Sequence, residues 1–310
     1  MHVINPIFNN NAVVIFMAAN EEYVMPTAVA IQSIISNADP KKQYDIVVGN
    51  GGSLSSQKKL QGLSTNNISV RTVYISDLLD NFNFDIFNKR YSMDTYSRLF
   101  IPELFKKYSK ILWLDGDVIV LRDVSELFDI DIGDNYFGAA RDICVITSSD
   151  FLDASKRLDW GNASNYFQAG VMIWNIRKCV KDNMMTRFIE AATGLKKFVF
   201  QDQDILNYIV RNGGIFHIPD NWNVQTCMPT SDPYIIHYSM ATKPWNVLKY
   251  EYKRFLFKYM SYRMIYECYP DLFERDDMYH YFWDFAKQSP FFNDLRKNRI
   301  KKTLKRWMMG

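Results

Sequence analysis

The stretch KILWLDGDVIV, residues 110–120, has two possible interpretations. Asp115-Gly116 between two apolar runs is a strong hairpin signal, because glycine adopts a positive φ at little cost. Asp115 and Asp117 also form a D-x-D pair. Residues i and i+2 of an extended chain point the same way, so both carboxylates can face one metal ion. The spacing alone leaves a surface turn and a ligand site open.

The neighbours of this pair are compatible with a ligand site, although the spacing alone favours a surface hairpin turn. Gly116 places no side chain between the carboxylates, so a ligand could approach the backbone there. The apolar flanks predict a rigid strand, and open α/β sheets bind ligands at the ends of their strands.

The first third of the chain alternates between two patterns. AVVIFMAA (12–19) is a continuous apolar run, typical of a central strand covered on both faces. Helical patterns at 27–36 and 55–63 separate this run from strand patterns at 44–50 and 69–75. Strands that alternate with helices predict an α/β fold with a parallel sheet and right-handed crossovers.

The remainder of the chain continues with helices and strands and then changes texture. DTYSRLFIPELF predicts a helix that Pro102 bends or ends, and IRKCVKDNMMTRFIEAA (176–192) predicts one long amphipathic helix. The other predicted elements are short strands at 136–142, 169–175, 214–219 and 234–239 and a helix at 202–212. Aromatic and charged helical patterns begin near residue 246, so we expect a main domain of residues 1–245 and a helical extension of residues 246–310.

Composition excludes several classes of protein. Seven of the 37 Lys and Arg residues lie in residues 296–310, so the other 30 face 34 Asp and Glu, and a basic body for nucleic acid is absent. The eight-residue run at 12–19 is shorter than the roughly 18–20 residues of a spanning helix. The N-terminus lacks a signal-peptide pattern, and the four cysteines lack a C-x-x-C pair. We therefore expect a cytoplasmic protein.

The basic tail has a pattern of its own. Ile300, Leu304, Trp307 and Met308 follow helical spacing, with basic residues between them. A basic amphipathic helix that carries Trp suits the surface of an anionic membrane. The alternative is a solvated, frayed C-terminus.

Two side chains far from the D-x-D pair could complete a site. His237 follows an apolar strand, and Lys243 lies six residues later beside Pro244. Each has an ordinary explanation, a structural histidine and a solvated lysine. Together they could supply an imidazole to a carboxylate-bound metal and an ammonium to a phosphate.

Three further groups have both structural and functional interpretations. Carboxylates in DQD (202–204) favour the positive end of a helix, or they could bind sugar hydroxyls with Gln203. Gln168-Ala169-Gly170 could be a loop that enters a strand, or an amide and bare backbone beside a ligand. Arg98 could form a helix pair with Asp94, or clamp a phosphate or sugar.

The order of these motifs resembles family 8 of the glycosyltransferases, a retaining, metal-dependent group that includes bacterial lipopolysaccharide galactosyl- and glucosyltransferases. The similarity runs from about residue 12 to residue 245 through AANEEY, TYSRLFIPELF, ILWLDGDVIVLRDVSELF, YFQAGVMIWN with DQDILN, and HYSMATKPW. The resemblance implies a glycosyltransferase-A fold, a Rossmann-like, mixed but mostly parallel sheet with a nucleotide-sugar over its strand ends. It also implies transfer of glucose or galactose from a UDP-sugar to a glycan or lipid-linked glycan.

The resemblance also implies roles for particular residues. Asp115, Asp117 and His237 would bind Mn²⁺, with Mg²⁺ as the alternative ion, and Lys243 would hold the diphosphate. Asp142 would lie toward the acceptor, and the catalytic candidates are Asp202, Gln203 and Asp204. The implied donor-binding residues are Ala18, Ala19, Asn20, Glu22, Arg98, Asp115, Gly116, Gln168, Ala169, Asp202, Gln203 and Lys243.

Departures from the family pattern concern the donor. Asn20 and Glu22 differ from the usual residues at the uridine, Gln168 replaces the usual Asn, and Ser239 replaces a common Gly. Two rival functions use similar chemistry, a nucleotidyltransferase and a non-catalytic sugar-nucleotide-binding module. The sequence lacks the glycine-rich triphosphate loop of a nucleotidyltransferase. A non-catalytic binding module would not need the paired acids, His237 and Lys243 together.

Overall fold

The computed structural model describes most of the chain up to residue 244 and a short segment beyond it. The described residues are 3–8, 11–50, 52–75, 93–146, 163–194, 198, 200–225, 230–239, 243–244, 281–282 and 284–291.

A seven-stranded mixed sheet forms the centre of the molecule, in the order β3-β2-β1-β4-β7-β6-β8. Its strands are β1 (Val13–Ala18), β2 (Tyr44–Gly49), β3 (Ile68–Val73), β4 (Lys110–Leu114), β6 (Phe137–Arg141), β7 (Phe167–Asn175) and β8 (Ile215–His217). Of these strands, β7 alone is antiparallel to its neighbours. The predicted α/β class with a mixed, mostly parallel sheet is confirmed.

A second sheet of three short strands adjoins the first, in the order β5-β10-β9. These strands are β5 (Val118–Val120), β9 (Val224–Gln225) and β10 (Ile235–His237). Because β4 and β5 belong to different sheets, residues 115–117 carry the chain from one sheet to the other. The interpretation of this stretch as a hairpin turn is therefore wrong.

The helices cover the sheet and connect its strands. They are α1 (Val24–Asn37), α2 (Leu54–Gln61), α3 (Ile101–Leu104), α4 (Val124–Asp129), α5 (Ile143–Ile146), α6 (Ile176–Lys181), α7 (Met184–Gly194) and α8 (Gln201–Ile209). Short 3₁₀ helices lie at Met93–Phe100, Ala163–Asn165 and Asp220–Asn223.

Two predicted helices differ in the structure. Pro102 lies in the first turn of α3, where a missing N–H costs nothing, so it begins a helix after a 3₁₀ segment rather than ending one. The long helix predicted at 176–192 is two helices. Asn183, with a φ of 51°, breaks the pattern between them.

Apolar side chains cover both faces of the main sheet. Phe16 of β1 packs with Phe105 and Trp113 on one face, whereas Ile15 and Met17 belong to the core of the other face. This arrangement confirms the prediction of a central strand at 12–19.

Part of the predicted C-terminal extension packs on the main body. Phe282 lies in an edge-to-face contact with Tyr238, at a centroid distance of 6.2 Å, and shares an apolar cluster with Val29 and Ile119. The predicted boundary near residue 246 and the basic tail at 296–310 lie outside the described residues. Among the helices of the described part, none is long and apolar enough to cross a membrane.

Candidate functional site

The D-x-D pair lies where the two sheets meet. The antiparallel β7 places its first residues beside the last residues of β4, and the Asp115 amide donates to the Gly170 carbonyl at 2.8 Å. Gln168-Ala169-Gly170 is part of β7 itself, so the alternative of a loop that enters a strand is wrong.

Three predicted ligands come together at this junction. Candidate ligand atoms of Asp115, Asp117 and His237 all lie within 4.8 Å of one another. His237 Nε2 is 3.2 Å from Asp117 Oδ1 and 3.6 Å from Asp115 Oδ2. The pairing of β5 with β10 sets His237 opposite Val118, which explains how residues so distant in sequence meet.

Gly170 leaves the space that this cluster occupies. A Cβ at residue 170 would lie 2.8 Å from Asp115 Oδ2 and would overlap the imidazole of His237. Gly116 has a different neighbour, since a Cβ there would overlap the hydroxyl of Thr27 on α1. Its missing side chain therefore accommodates α1, and the expected approach of a donor to Gly116 stays a prediction.

The electrostatics of Asp117 suit a bound cation. Burial raises the pKa of this carboxyl, but the charge of the Lys243 ammonium opposes burial and holds the pKa below its usual range. Lys243 contacts Asp117 Oδ2 and donates to the Tyr238 carbonyl at 2.7 Å. Asp117 Oδ1 is buried and has no hydrogen-bond partner in the described part of the chain. A divalent ion between the three ligands would satisfy this oxygen.

Arg98 links Asp115 to a second acid, Asp202. Its Nη2 donates to Asp115 Oδ1 at 2.9 Å, and its Nε lies 2.7 Å from Asp202 Oδ2. The guanidinium also donates to the Ala169 carbonyl at 2.6 Å and stacks on Trp113 at 4.5 Å. With only 4% exposure, Arg98 acts as a clamp between two acids.

Asp202 and Gln203 open α8 beside this clamp. Burial raises the pKa of Asp202 to about 6, although the Arg98 charge opposes the rise. Gln203 Nε2 donates to Asp142 Oδ2 at 2.9 Å, and its Oε1 accepts from the Ala169 amide at 3.0 Å. Burial also raises the pKa of Asp142. The predicted sugar-side and acceptor-side residues therefore form one network.

Asp204 faces the core and connects to this network through the Tyr166 hydroxyl, which accepts from Gln203 Nε2 at 3.2 Å. It is fully buried, with Oδ1 accepting from the Tyr166 hydroxyl at 2.6 Å and Oδ2 accepting from the Phe200 amide at 2.9 Å. The geometry supports the structural interpretation of this acid and does not support a direct catalytic role.

The stretch expected to hold uridine lies at the end of β1. Ala18 is its last residue, and Asn20 Oδ1 accepts from the amides of Glu22 and Tyr23, both at 3.1 Å. The Glu22 side chain is exposed. Asn20 thus organises the turn before α1, and its contact with a nucleoside stays a prediction.

Sequence reasoning missed the residues that hold the site in place. Trp113 donates from Nε1 to Asp115 Oδ1 at 2.8 Å, and Asn223 lies 3.0 Å from His237 Nδ1. The sequence around Trp113 predicts a core residue of a strand. Asn223 lies in a short 3₁₀ helix that has no periodic hydrophobic pattern. Neither position carries a signal that local sequence could reveal.

Comparison with known proteins decides the family. The model of Glycosyl transferase family 8 matches residues 14–249. The chain belongs to this family. The match includes every residue of the cluster described above, and the glycosyltransferase-A type fold expected from the sequence is confirmed.

Relatives of this family-8 glycosyltransferase include named bacterial proteins. It is 25% identical to General stress protein A of Bacillus subtilis, over 80% of this chain and 93% of the relative. It is 24% identical to a lipopolysaccharide 1,2-glucosyltransferase of Escherichia coli, over 73% of this chain and 71% of that enzyme.

A solved structure shares the fold and carries ligands. The galactosyltransferase LgtC, in complex with donor and acceptor sugar analogs, superposes with a TM-score of 0.60 at 25% identity, covering 79% of this chain and 94% of that one. For several other bacterial relatives the chain spans only 26% to 62% of their length.

Proposed function

We propose that this glycosyltransferase moves glucose or galactose from a UDP-sugar to a glycan acceptor, with retention at the anomeric carbon, in the synthesis of lipopolysaccharide or another surface polysaccharide. The glucosyltransferase of E. coli and the LgtC complex support this class of donor and acceptor. The cluster of Asp115, Asp117 and His237 is the observation that carries the proposal.

The metal of this site would be Mn²⁺, held by Asp115, Asp117 and His237. Two carboxylates with one imidazole fit Mn²⁺ better than Mg²⁺, which prefers ligation by oxygen alone. When bound, the ion supplies Lewis-acid stabilisation of the departing UDP diphosphate. Gly170 leaves the room, and the buried Asp117 Oδ1 supplies a ligand atom with no hydrogen-bond partner in the described residues.

Lys243 would share the work on the leaving group. Its ammonium lies beside Asp117, so a diphosphate at the metal ligands would meet a second positive charge there. A fixed ammonium stabilises developing negative charge more than it stabilises the intact donor. Ser239, where relatives commonly have Gly, lies close by in sequence and could donate to the same phosphates.

The donor sugar would lie over the network of Arg98, Asp202 and Gln203. Arg98 fixes both Asp115 and Asp202, so the metal side and the sugar side of the site are built on one guanidinium. Asp142, beyond Gln203, would border the acceptor. We favour same-face attack assisted by the departing phosphate, with Asp202 and Gln203 positioning the sugar for the incoming hydroxyl.

The same fold without chemistry would make a sugar-nucleotide-binding module. Such a module has no need of an ammonium and an imidazole beside the paired acids, so their conjunction favours an enzyme. Membership of the glycosyltransferase family disfavours the nucleotidyltransferase alternative.

The basic tail would bring the enzyme to its acceptor. Residues 296–310 carry seven Lys and Arg and no acid, so we propose that they bind the anionic inner face of the membrane from the cytoplasm. Co-sedimentation of the full chain with anionic liposomes, compared with a chain ending at residue 295, tests this step. Equal binding of both chains would contradict it.

A thermal-shift screen tests the proposed donor. UDP-glucose, UDP-galactose and the matching GDP- and ADP-sugars are each added with and without Mn²⁺, to the wild type and to Asp117→Asn. We expect stabilisation by a UDP-hexose that requires both Mn²⁺ and the intact carboxylate, because ligand binding to the folded state raises its stability. Equal response to all nucleotides, or a response independent of the metal, would overturn the proposal.

A further inference from the structure

A series of hydrogen-bonded, buried side chains begins at Nδ1 of His237. Its Nδ1 lies 3.0 Å from Asn223 Oδ1, and Asn223 Nδ2 donates to Gln168 Oε1 at 2.7 Å. The same Gln168 oxygen accepts the amide of Gly170 at 2.5 Å. All three side chains are less than a tenth exposed, so water does not compete for these bonds. These hydrogen bonds join three elements: β10, the 3₁₀ helix Asp220–Asn223 and β7.

The backbone amide of Gly170 sets the direction of every hydrogen bond in this series. The Gly170 amide can only donate, so the Gln168 atom that faces it must be the carbonyl oxygen. That oxygen can only accept from Asn223, which fixes the Asn223 amide with its nitrogen toward Gln168. Asn223 Oδ1 then faces His237 Nδ1, and an oxygen acceptor there requires a proton on Nδ1.

We infer that Asn223, oriented by Gln168, is a positioning residue that fixes His237 in the Nδ1–H tautomer, with the Nε2 lone pair held for a divalent cation. The inference rests on the proposed metal. It also gives the Gln168 oxygen, which accepts two bonds, a role behind His237, and the donor contact expected from the sequence stays a prediction.

The surroundings of Nε2 agree with this assignment. In the Nδ1–H tautomer the Nε2 lone pair points toward Asp115 and Asp117, whose oxygens lie 3.6 and 3.2 Å away. Three electron-rich atoms repel one another unless a cation lies between them. Outer partners of metal-bound histidines fix the ring and raise its basicity, and their loss typically lowers metal affinity by about 10–100-fold.

The first readout is the tautomer itself. The chain has four histidines, so protein labelled with ¹⁵N-histidine gives few ring signals, and His237→Gln identifies that of residue 237. Spectra of the metal-free wild type at about pH 9, above the ordinary histidine range, should show the proton on Nδ1. Asn223→Ala should move a measurable fraction of it to Nε2. A wild-type proton on Nε2 would overturn the inference.

The second readout is Mn²⁺ affinity, measured from the electron paramagnetic resonance signal of free ion. Asn223→Ala should weaken binding by about 10–100-fold. Asn221→Ala is the matched control, because Asn221 lies on the same 3₁₀ helix and donates instead to the Asp232 carbonyl. The control should bind as the wild type does. Full affinity in Asn223→Ala would contradict the proposal.

Further measurements separate an unfolded variant from a lost hydrogen bond, and a wrong tautomer from a wrong metal. If circular dichroism shows that Asn223→Ala is unfolded, Gln168→Met replaces it as the test. Methionine is similar in size to glutamine but lacks the oxygen that accepts from Asn223. Gln168→Met should therefore release the Asn223 amide and weaken Mn²⁺ binding. If the wild type shows the Nδ1 proton but binds no Mn²⁺, the tautomer assignment is supported while the proposed metal fails.

Discussion

Two of the three D-x-D sequences in this chain differ in what their acids contact; the one at 115–117 is called the first pair and the one at 202–204 the second pair. In Asp115-Gly116-Asp117 the acids follow a strand, and both carboxylates lie with His237 in one cluster. In Asp202-Gln203-Asp204 they lie on α8, where residues i and i+2 are about 200° apart around the axis. Asp202 therefore meets Arg98 while Asp204 faces Tyr166 in the core. The backbone that carries two acids decides whether they can act on one ligand.

Hydrogen bonding further distinguishes Asp117 of the first pair from Asp204 of the second. Asp204 has a donor for each oxygen, which is how a buried carboxylate is stabilised without a ligand. Asp117 is also buried, yet within the described residues its Oδ1 has no hydrogen-bond partner. Asp204 therefore fits a structural role, and Asp117, whose Oδ1 faces an imidazole, fits the proposed role of a metal ligand.

The largest expected effect comes from breaking the first pair. Asp117→Asn removes a metal ligand and the charge opposite Lys243, so we expect Mn²⁺-dependent sugar transfer to fall by about 10³-fold or more. Release of UDP from the donor measures the rate. Asp204→Asn is the matched variant from the second pair, and equal losses in the two variants would contradict the distinction drawn between them.

Filling the space of Gly170 should have the next largest effect. In Gly170→Ala the new methyl group overlaps His237 and crowds Asp115, so Mn²⁺ affinity should fall by about 10²-fold through displaced ligands. Isothermal titration with Mn²⁺ measures the change. Gly194→Ala is the control, since a Cβ at residue 194 meets nothing within 4 Å. Unchanged affinity in Gly170→Ala would show that the ligands lie elsewhere.

The acids of the second pair should respond to pH differently. The pKa of Asp202 rises from 3.8 to about 6 on folding, so between these values the folded state binds more protons than the unfolded state. Wild-type stability should therefore decrease with rising pH, relative to Asp202→Asn, by up to about 3 kcal/mol between about pH 4 and pH 6. Urea unfolding of both proteins across this range measures the difference. A difference that does not vary with pH would refute the shift.

The smallest expected effect is on stability alone. Asp204→Asn replaces one acceptor with a donor beside the Phe200 amide or the Tyr166 hydroxyl, which should cost about 1–3 kcal/mol in the free energy of unfolding. Turnover per folded molecule should stay near that of the wild type. Urea unfolding and a rate corrected for the folded fraction separate the two quantities. A variant of full stability without activity would restore Asp204 to the catalytic candidates.

Local sequence was enough for the parallel half of the sheet. Strand runs such as residues 12–19 and 44–50 are apolar on both faces and alternate with helical patterns, and both signals are short-range. Motif order was enough to group Asp115, Asp117, His237 and Lys243. The grouping needed a family pattern, because His237 reaches the acids only through the pairing of β10 with β5.

The parts that local patterns could not predict depend on contacts between distant segments. The antiparallel insertion of β7 between β4 and β6 has no signature in its own residues, yet it brings Gly170 to the cluster of Asp115, Asp117 and His237. Two predicted helices differ from the structure because of single backbone positions: Asn183 divides one helix into two, and Pro102 lies in the first turn of the other. Asn223 shows its role only as the partner of His237 and Gln168, which the fold brings together.

We expect the first D-x-D pair, and not the second, to hold a divalent ion with His237. Titration of Mn²⁺ into wild type, Asp117→Asn and Asp204→Asn, followed by the electron paramagnetic resonance signal of free ion, tests it directly. We predict saturable binding of a single ion by the wild type and Asp204→Asn, and none by Asp117→Asn. Equal binding by all three proteins, or loss of binding in Asp204→Asn alone, would contradict the account.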